Sequence, residues 1–183
     1  MAEAALRGGA DMVQLRDKQA PDAAVLDCAA RLRTLCSAAG ALFWVNDRPD
    51  LALAAGADGV HVGQDDAPVH EVRRRVGPDM LVGLSTHSPA QLAAGLRSGA
   101  DELSVGPVWA TPTKEGRPAA GLDYVSHAAG HAGERPWFAI GGIDLDTVED
   151  VTRAGARRVV VVRAIREAPD PEAAARALRE ALA

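Results

Sequence analysis

A short signature, Gly-Ala-Asp or Gly-Ala-Arg, recurs four times along this chain, at residues 9–11, 56–58, 99–101 and 155–157. The spacings are 47, 43 and 56 residues, each about two strand–helix units long. Every copy follows a helical pattern and precedes a short apolar run, so its glycine predicts a helix end in the left-handed conformation. Paired strand–helix units that repeat in this way favour an α/β fold of the TIM (β/α)₈ barrel type over an open doubly wound sheet.

Seven short runs rich in Val, Leu and Ile predict strands that are covered on both faces. Helical patterns separate them: the longest covers residues 23–39, and Ser88-Pro89 and Asp170-Pro171 each begin a helix with a capping residue followed by proline. The predicted strands cover residues 12–16, 42–46, 59–63, 81–85, 102–106, 137–141 and 158–162.

This strand count is one short of the eight that a closed barrel needs. The chain begins in a partial helical pattern at residues 2–7. We therefore expect a single TIM-barrel domain over residues 1–183 that lacks its first strand, with open edges at 12–16 and 158–162. Such edges predict a chain that is poorly soluble or inactive until the missing strand is restored.

Composition narrows the functional classes. Of the 183 residues 48% are hydrophobic but only 3% aromatic, so Ala, Val and Leu must fill the core. A net charge of -5 argues against a nucleic-acid partner, and we find neither a membrane-spanning stretch nor a signal peptide. Cys28 and Cys36 would lie about 12 Å apart on one helix, too far for a disulfide, and indicate reduced core thiols in a cytoplasmic protein.

The stretch Gln14-Leu15-Arg16-Asp17-Lys18 ends the first predicted strand. Side chains alternate along a strand, so Gln14, Arg16 and Lys18 share one face. Two cations and an amide on one face of a buried strand are unfavourable unless an anion meets them, although a solvated strand end would tolerate them. The stretch therefore predicts an anion site.

Carboxylates follow the next two predicted strands. Asp47 comes directly after residues 42–46, and Asp65 and Asp66 follow residues 59–63. Ligands bind at the carboxyl ends of barrel strands, and neighbouring strands lie roughly 5 Å apart. Asp47 and one of Asp65 or Asp66 are thus candidates to share a Mg²⁺, which prefers oxygen ligands. Helix capping is the alternative for each of them.

Three polar side chains on the middle strands have separate interpretations. Ser85, at the end of the fourth predicted strand, could donate to a phosphate oxygen. His87 follows it and fits an exposed loop residue better than a catalytic base. His61 alternates with Val60 and Val62 and fits a satisfied interior residue better than a ligand.

Segments that could bind phosphate follow the last three predicted strands. A long loop contains Thr111, Thr113 and Lys114, and its Pro, Gly and Thr content is that of a lid. Gly142 follows the sixth strand and could present its backbone N–H to an anion at a helix start. Arg163 follows the seventh strand, where barrels commonly hold phosphate.

These motifs together resemble the thiamine phosphate synthase family. The resemblance runs from residue 3 to about residue 166, and six motifs stand in the family's order. They are Gln14-Leu15-Arg16-Asp17-Lys18, Asn46-Asp47-Arg48, Val60-His61-Val62-Gly63-Gln64-Asp65-Asp66, Gly83-Leu84-Ser85-Thr86-His87, Gly106-Pro107 with Thr111-Pro112-Thr113-Lys114, and Ala139-Ile140-Gly141-Gly142-Ile143.

The resemblance implies a transferase of the TIM-barrel class that condenses hydroxymethylpyrimidine diphosphate with a thiazole phosphate, giving thiamine phosphate and pyrophosphate in thiamine biosynthesis. In that family the diphosphate leaves first and the thiazole nitrogen attacks the resulting cation. Such chemistry depends on stabilising the leaving diphosphate by cations and a metal. A homo-oligomer is possible, and neither nucleic acid nor membrane is implied.

The resemblance also implies residue roles. Gln14, Arg16, Lys18 and Asn46 would bind the pyrimidine diphosphate, with Ser85 and Lys114 also contacting it. Mg²⁺ would be held by Asp47 and by Asp66 rather than Asp65, because the ligand stands last in Gly-Gln-x-Asp. The thiazole phosphate would meet Thr111, Thr113 and Gly142. Arg163 stands where family members often carry Ser, and could itself bind phosphate.

Three alternatives stay open. A thiazole tautomerase of similar sequence would use a His, but the cationic and acidic residues of the first three strands argue against an isomerase. A pentose-phosphate epimerase would need a His and Asp metal cluster that cannot be assembled here. The missing strand also leaves room for a non-catalytic fragment that binds a phosphate ligand.

Overall fold

The protein folds as a curled, entirely parallel β-sheet with helices packed against its outer face. A computed structural model describes residues 1–111 and 118–183. Its seven strands lie side by side in chain order, each paired with the next. They are β1 (Met12–Leu15), β2 (Leu42–Asn46), β3 (Gly59–Val62), β4 (Leu81–Thr86), β5 (Glu102–Val105), β6 (Trp137–Ile140) and β7 (Val159–Val160).

Helices follow the strands in alternation, as the repeat predicts. They are α1 (Ala2–Arg7), α2 (Asp22–Ala39), α3 (Pro49–Ala54), α4 (Val69–Val76), α5 (Pro89–Arg97), α6 (Gly121–His131), α7 (Val148–Arg153), α8 (Arg163–Arg166) and α9 (Pro171–Ala181). The predicted caps are confirmed: the Ser88 side chain accepts from the backbone N–H of Gln91, and that of Asp170 accepts from the N–H groups of Glu172 and Ala173.

All seven predicted strands are present, and no strand end differs from the prediction by more than two residues. The chain leaves the sheet after Leu15, so Arg16 lies beyond β1 and not within it. Strand β4 instead extends to Thr86, because Thr86 is still opposite Val105 of β5. Strand β7 is shorter than predicted because its ladder holds only two pairs, Val159 and Val160 against β6. The α/β barrel-like fold class is confirmed.

The outer face of the sheet carries the hydrophobic core. Because side chains alternate across a strand, Val60 and Val62 pack among the helices while His61 between them faces the concave side. The helix-facing cluster includes Phe43, Val45, Val60, Val62, Val72, Val82, Leu92, Leu103, Val105, Val125 and Val151. Ala, Val and Leu supply most of it, as the composition predicts.

Two aspartates of the repeat connect a neighbouring strand to a helix by hydrogen bonds. Asp58 Oδ2 accepts hydrogen bonds from the Phe43 backbone N–H and from Arg33 Nη1, both at 2.7 Å. Asp101 Oδ2 likewise accepts from the Val82 N–H at 2.7 Å and from Arg73. The four repeat glycines, at 9, 56, 99 and 155, all have positive φ, which confirms the left-handed geometry predicted for them.

The two ends of the chain meet in the helix layer. Arg7 of α1 lies 2.7 Å from Glu172 of α9, and Arg179 of α9 lies 2.8 Å from Asp11. In the sheet, β1 and β7 are the first and last strands of the described order. The helices therefore come closer to completing a ring than the seven described strands do.

The structure also bears on the predictions made for the two cysteines and for membrane-spanning segments. Cys36 is buried, but Cys28 is exposed, so the prediction of two core thiols is wrong for Cys28, which lies on the solvent side of α2. Within residues 1–111 and 118–183, no helix combines the length and hydrophobicity needed to cross a membrane.

Candidate active site

The first group of predicted site residues lies at the carboxyl ends of β1, β2 and β3. Gln14 and Asn46 are strand residues, in register with Trp44 and His61 respectively. Arg16 and Lys18 follow β1 and are exposed. Lys18 Nζ reaches across to Asp47 Oδ2 at 2.7 Å. The first two strands thus bring a cation and a carboxylate together at one edge.

Asp47 has an unusual backbone. Its φ is 63°, and it is the single residue other than glycine with a positive φ in the described part of the chain. Residues with a side chain rarely adopt this region, which is strained by roughly 1 kcal/mol or more. The Asp47 N–H donates to the His61 carbonyl at 2.8 Å, which ties the turn to β3. The strained turn places the carboxylate beside Lys18.

The Asp66 carboxylate stabilises the turn in which it lies. Its Oδ2 accepts from the Gly63 backbone N–H at 2.7 Å, closing the turn after β3. This is a capping contact of the kind weighed as the alternative to metal binding, but it occupies only one of the two carboxylate oxygens. Asp65 is exposed on the same turn.

The donor set of these residues is compatible with a divalent cation. Among the described residues no three His, Cys, Asp or Glu side chains cluster in a metal-binding arrangement. Mg²⁺ commonly takes only one or two carboxylates and completes its shell with substrate phosphates and water. Asp47 and Asp66, hard oxygen donors after neighbouring strands, fit that kind of site.

A cavity of about 230 Å³ lies at the opposite half of the same edge, after β5, β6 and β7. Its lining includes three residues predicted for the thiazole phosphate: Thr111, Gly142 and Arg163. His87 also lines it, half-buried and directed at the Gly106 carbonyl. The interpretation of His87 as an exposed loop residue is therefore wrong.

The glycine turn after β6 differs from the expectation in one respect. Helix α7 begins only at Val148, so Gly142 does not stand at a helix N-terminus. Gly142 has a φ of 71°, and a Cβ there would lie 2.8 Å from Trp109 Cβ. The turn needs glycine for its own packing, whatever ligand it meets.

Two predicted residues, Thr113 and Lys114, lie outside the described residues. Their proposed contacts with the two phosphate groups stay predictions.

The concave face between the two groups holds a buried polar network. His61 Nδ1 lies 3.2 Å from Glu102 Oε1, and His61 Nε2 lies 3.0 Å from Ser85 Oγ. Ser104 Oγ donates to Ser85 Oγ at 3.4 Å. All four residues are at least nine-tenths buried. His61 is thus a satisfied interior residue, as the sequence predicts.

The network depends on the absence of a side chain at Gly83. His61, Gly83 and Glu102 lie in register on β3, β4 and β5, so the imidazole and the carboxylate meet across the middle strand. A Cβ at Gly83 would lie 2.3 Å from His61 Nδ1 and 2.7 Å from Glu102 Oε1. Only glycine leaves room for this hydrogen bond.

Comparisons with known proteins identify the family to which this site belongs. The family model described as thiamine monophosphate synthase matches residues 1–165. The chain belongs to the thiamine monophosphate synthase family.

Individual relatives agree with this membership. The thiamine-phosphate synthase of a Thermus thermophilus strain is 57% identical over 180 residues, spanning 98% of this chain and 86% of the relative. That of Saccharopolyspora erythraea is 55% identical over 188 residues, spanning 99% of this chain and 84% of the relative. The predicted thiamine phosphate synthase function and transferase class are therefore confirmed.

Solved structures agree as well. A thiamine phosphate pyrophosphorylase from Pyrococcus furiosus superposes with a TM-score of 0.91 at 32% identity, over 99% of this chain and 87% of that one. A 3-hexulose-6-phosphate synthase superposes with a TM-score of 0.69 at 22% identity, which shows a shared fold alone. None of these relatives supports the tautomerase, epimerase or binding-fragment alternatives.

Two buried residues of the site, Glu102 and Ser104 of β5, were missed by reasoning from the sequence. They alternate with the apolar Leu103 and Val105 along the strand. A carboxylate and a hydroxyl on the inward face of a predicted buried strand are the signal that could have found them.

Proposed function

We propose that the two halves of the strand edge bind the two substrates of thiamine phosphate synthesis. The pyrimidine diphosphate would lie against the β1–β3 group, and the thiazole phosphate in the cavity after β5–β7. The observation that carries this is that the predicted site residues form two separate groups. Arg16, Lys18 and Asp47 lie at one half of the edge. The cavity lined by Thr111, Gly142 and Arg163 lies at the other half.

The roles follow from charge and position. When the C–O bond between the pyrimidine methylene and the diphosphate breaks, the electron pair leaves with the diphosphate. Arg16 and Lys18 would stabilise that growing negative charge, with Lys114 as a further predicted contact. The thiazole nitrogen then donates its lone pair to the methylene carbon, forming the C–N bond. Gln14 and Asn46 would orient the pyrimidine.

The metal-binding assignment belongs to this proposal. Asp47 and Asp66 would hold Mg²⁺, which when bound supplies further positive charge to the departing diphosphate. Lys18 already neutralises one oxygen of Asp47, so the carboxylate would be shared between the ammonium and the cation. A cytoplasmic location and a possible homo-oligomer are further predictions.

The test is product formation from defined substrates. Protein in which the expected first strand is also present, with Mg²⁺ and both synthetic substrates, should yield thiamine phosphate by chromatography and one pyrophosphate per turnover by a coupled assay. Omitting either substrate should abolish both signals. Pyrophosphate release without thiamine phosphate, or conversion of the thiazole substrate alone, would contradict the proposed reaction.

Variants then test the cationic group. Removing one preorganised donor to a developing negative charge lowers kcat roughly 10²–10³-fold, and we expect this for Arg16→Ala. Arg31→Ala, an exposed arginine on α2, serves as the control and should retain full activity. If Arg16→Ala raised only the KM for the pyrimidine substrate, Arg16 would contribute uniform binding instead.

A further inference from the structure

The polar network on the concave face includes side chains that the proposed reaction does not use. Glu102 and His61 lie in one row across the sheet, and Ser85 lies two residues further along β4, toward the carboxyl edge. Ser85 is also the member of the network predicted to contact the diphosphate. Glu102 and His61 therefore lie further from the carboxyl edge than Ser85, the residue predicted to contact the substrate.

The geometry leaves the imidazole little freedom. The two ring nitrogens contact different side chains: Nδ1 contacts Glu102, and Nε2 contacts Ser85 and, at 3.5 Å, the Ser104 hydroxyl. Turning the ring over would break these contacts. On the same side, the Ser85 carbonyl accepts from Gln64 Nε2 at 2.7 Å, which fixes the backbone of β4. The Ser85 hydroxyl is thus held by its neighbours rather than by solvent.

We propose that Glu102 and His61 are positioning residues that fix the orientation of the Ser85 hydroxyl for the diphosphate-bearing substrate. This inference rests on the proposed function, which places that substrate at Ser85. Glu102 holds the imidazole by its Nδ1, and the imidazole holds Ser85 by its Nε2. Neither Glu102 nor His61 touches the reacting atoms.

A nucleophilic role for the same three residues fits less well. A carboxylate, an imidazole and a serine in this order also occur in hydrolases that use the serine as a nucleophile. In the proposed reaction, however, the nucleophile is the thiazole nitrogen, so no attack by the serine hydroxyl is needed. The arrangement therefore fits orientation of a hydroxyl rather than covalent attack.

Two substitutions of His61 separate its two contacts. Asn places an amide near the position of Nδ1, so His61→Asn retains the contact with Glu102 and loses that with Ser85. Gln is longer and places its amide near Nε2, so His61→Gln retains the contact with Ser85. Both replace one buried polar group by another, and thermal unfolding of each variant establishes that it is folded.

We expect His61→Asn to lower kcat about 10–100-fold, by analogy with removing the partner that orients a metal-ligating side chain, with the KM for the thiazole phosphate unchanged. His61→Gln should recover most of this loss. Adding His61→Asn to Ser85→Ala should cause no further loss, because both act through one hydroxyl. Equal losses in the Asn and Gln variants, or losses that multiply in the double variant, would overturn the proposal.

A spectroscopic measurement tests the proposal without turnover. In ¹⁵N spectra of the histidine side chains, Ser85→Ala should shift the Nε2 signal of His61, and Glu102→Gln should shift its Nδ1 signal. An Nε2 signal that Ser85→Ala does not move would refute the positioning contact. If wild-type protein formed no thiamine phosphate while these shifts appeared, the proposed function would fail and the contact itself would stand.

Discussion

Gly83→Ala is the smallest change that tests the row of side chains across the concave face. It adds one methyl group and removes no polar group. The added Cβ would lie 2.3 Å from His61 Nδ1, 2.7 Å from Glu102 Oε1 and 3.0 Å from the Trp44 ring. Because separations below 3.0 Å cannot be tolerated, the imidazole and the carboxylate would have to move apart.

The expected magnitude combines three effects. Forcing an extra carbon into a packed interior is destabilising by about 1–3 kcal/mol. Separating two buried hydrogen-bonded groups adds about 1–3 kcal/mol for the group left unsatisfied. Alanine recovers roughly 0.5–1 kcal/mol because it restricts the unfolded chain more than glycine does. The free energy of unfolding should therefore fall by about 1–5 kcal/mol.

Urea unfolding followed by tryptophan fluorescence measures this change, since Trp44 packs against Gly83. Gly130→Ala is the matched control: Gly130 lies in α6, a Cβ added there would meet nothing within 4 Å, and alanine should stabilise the protein by roughly 0.5–1 kcal/mol. A Gly83→Ala protein as stable as Gly130→Ala would mean that His61 and Glu102 do not meet across β4.

Three other predictions concern separate parts of the molecule. Asp66→Asn keeps an oxygen for the Gly63 N–H but removes the charge, so kcat should fall and a higher Mg²⁺ concentration should be needed for activity. Asp65→Asn should have far less effect. Equal losses of activity in the two variants would contradict the metal assignment. Asp101→Ala leaves the Val82 N–H without its acceptor and removes the ion pair of Arg73, although Arg73 keeps its backbone acceptors. It should lower the free energy of unfolding by about 1–3 kcal/mol, against less than about 1 kcal/mol for Asp11→Ala, whose ion pair is exposed. Urea titrations that rank the two variants the other way would refute this. Burial raises the pKa of the Cys36 thiol, so less of this thiol is ionised at neutral pH. A thiol reagent should therefore react quickly with one cysteine of the folded protein, the exposed Cys28. It should react quickly with none in Cys28→Ser.

The strands and the edge that carries the site could be predicted because both follow from local sequence. A run such as residues 59–62 is apolar on both sides of a single histidine, and the four copies of the repeat mark where β1, β3, β5 and β7 begin. Parallel strands joined by helices place all their carboxyl ends at one edge. The segments that carry Lys18 and Asp47 are therefore expected at the same edge, whereas the ion pair between the two side chains is seen only in the structure.

The contact between His61 and Glu102 could not be predicted in the same way. The two residues are 41 positions apart, and their meeting depends on the register of β3, β4 and β5. A shift of one residue in β3 or β5 would turn His61 or Glu102 to the helix side, and a shift in β4 would put Val82 or Leu84 between them. The strained turn at Asp47 and the late start of α7 after Gly142 likewise depend on packing that no local pattern specifies.

The burial of the network itself argues for a role beyond stability. Replacing a buried ionisable pair by well-packed apolar residues is often neutral or stabilising, while removing one partner is strongly destabilising. The helix-facing side of the same strands shows that this chain can pack Val and Leu against its sheet. On the concave side it instead buries an imidazole and a carboxylate, and keeps glycine at residue 83 so that they can meet. Stability alone does not favour that choice, whereas a hydroxyl that must point in one direction at the strand edge does.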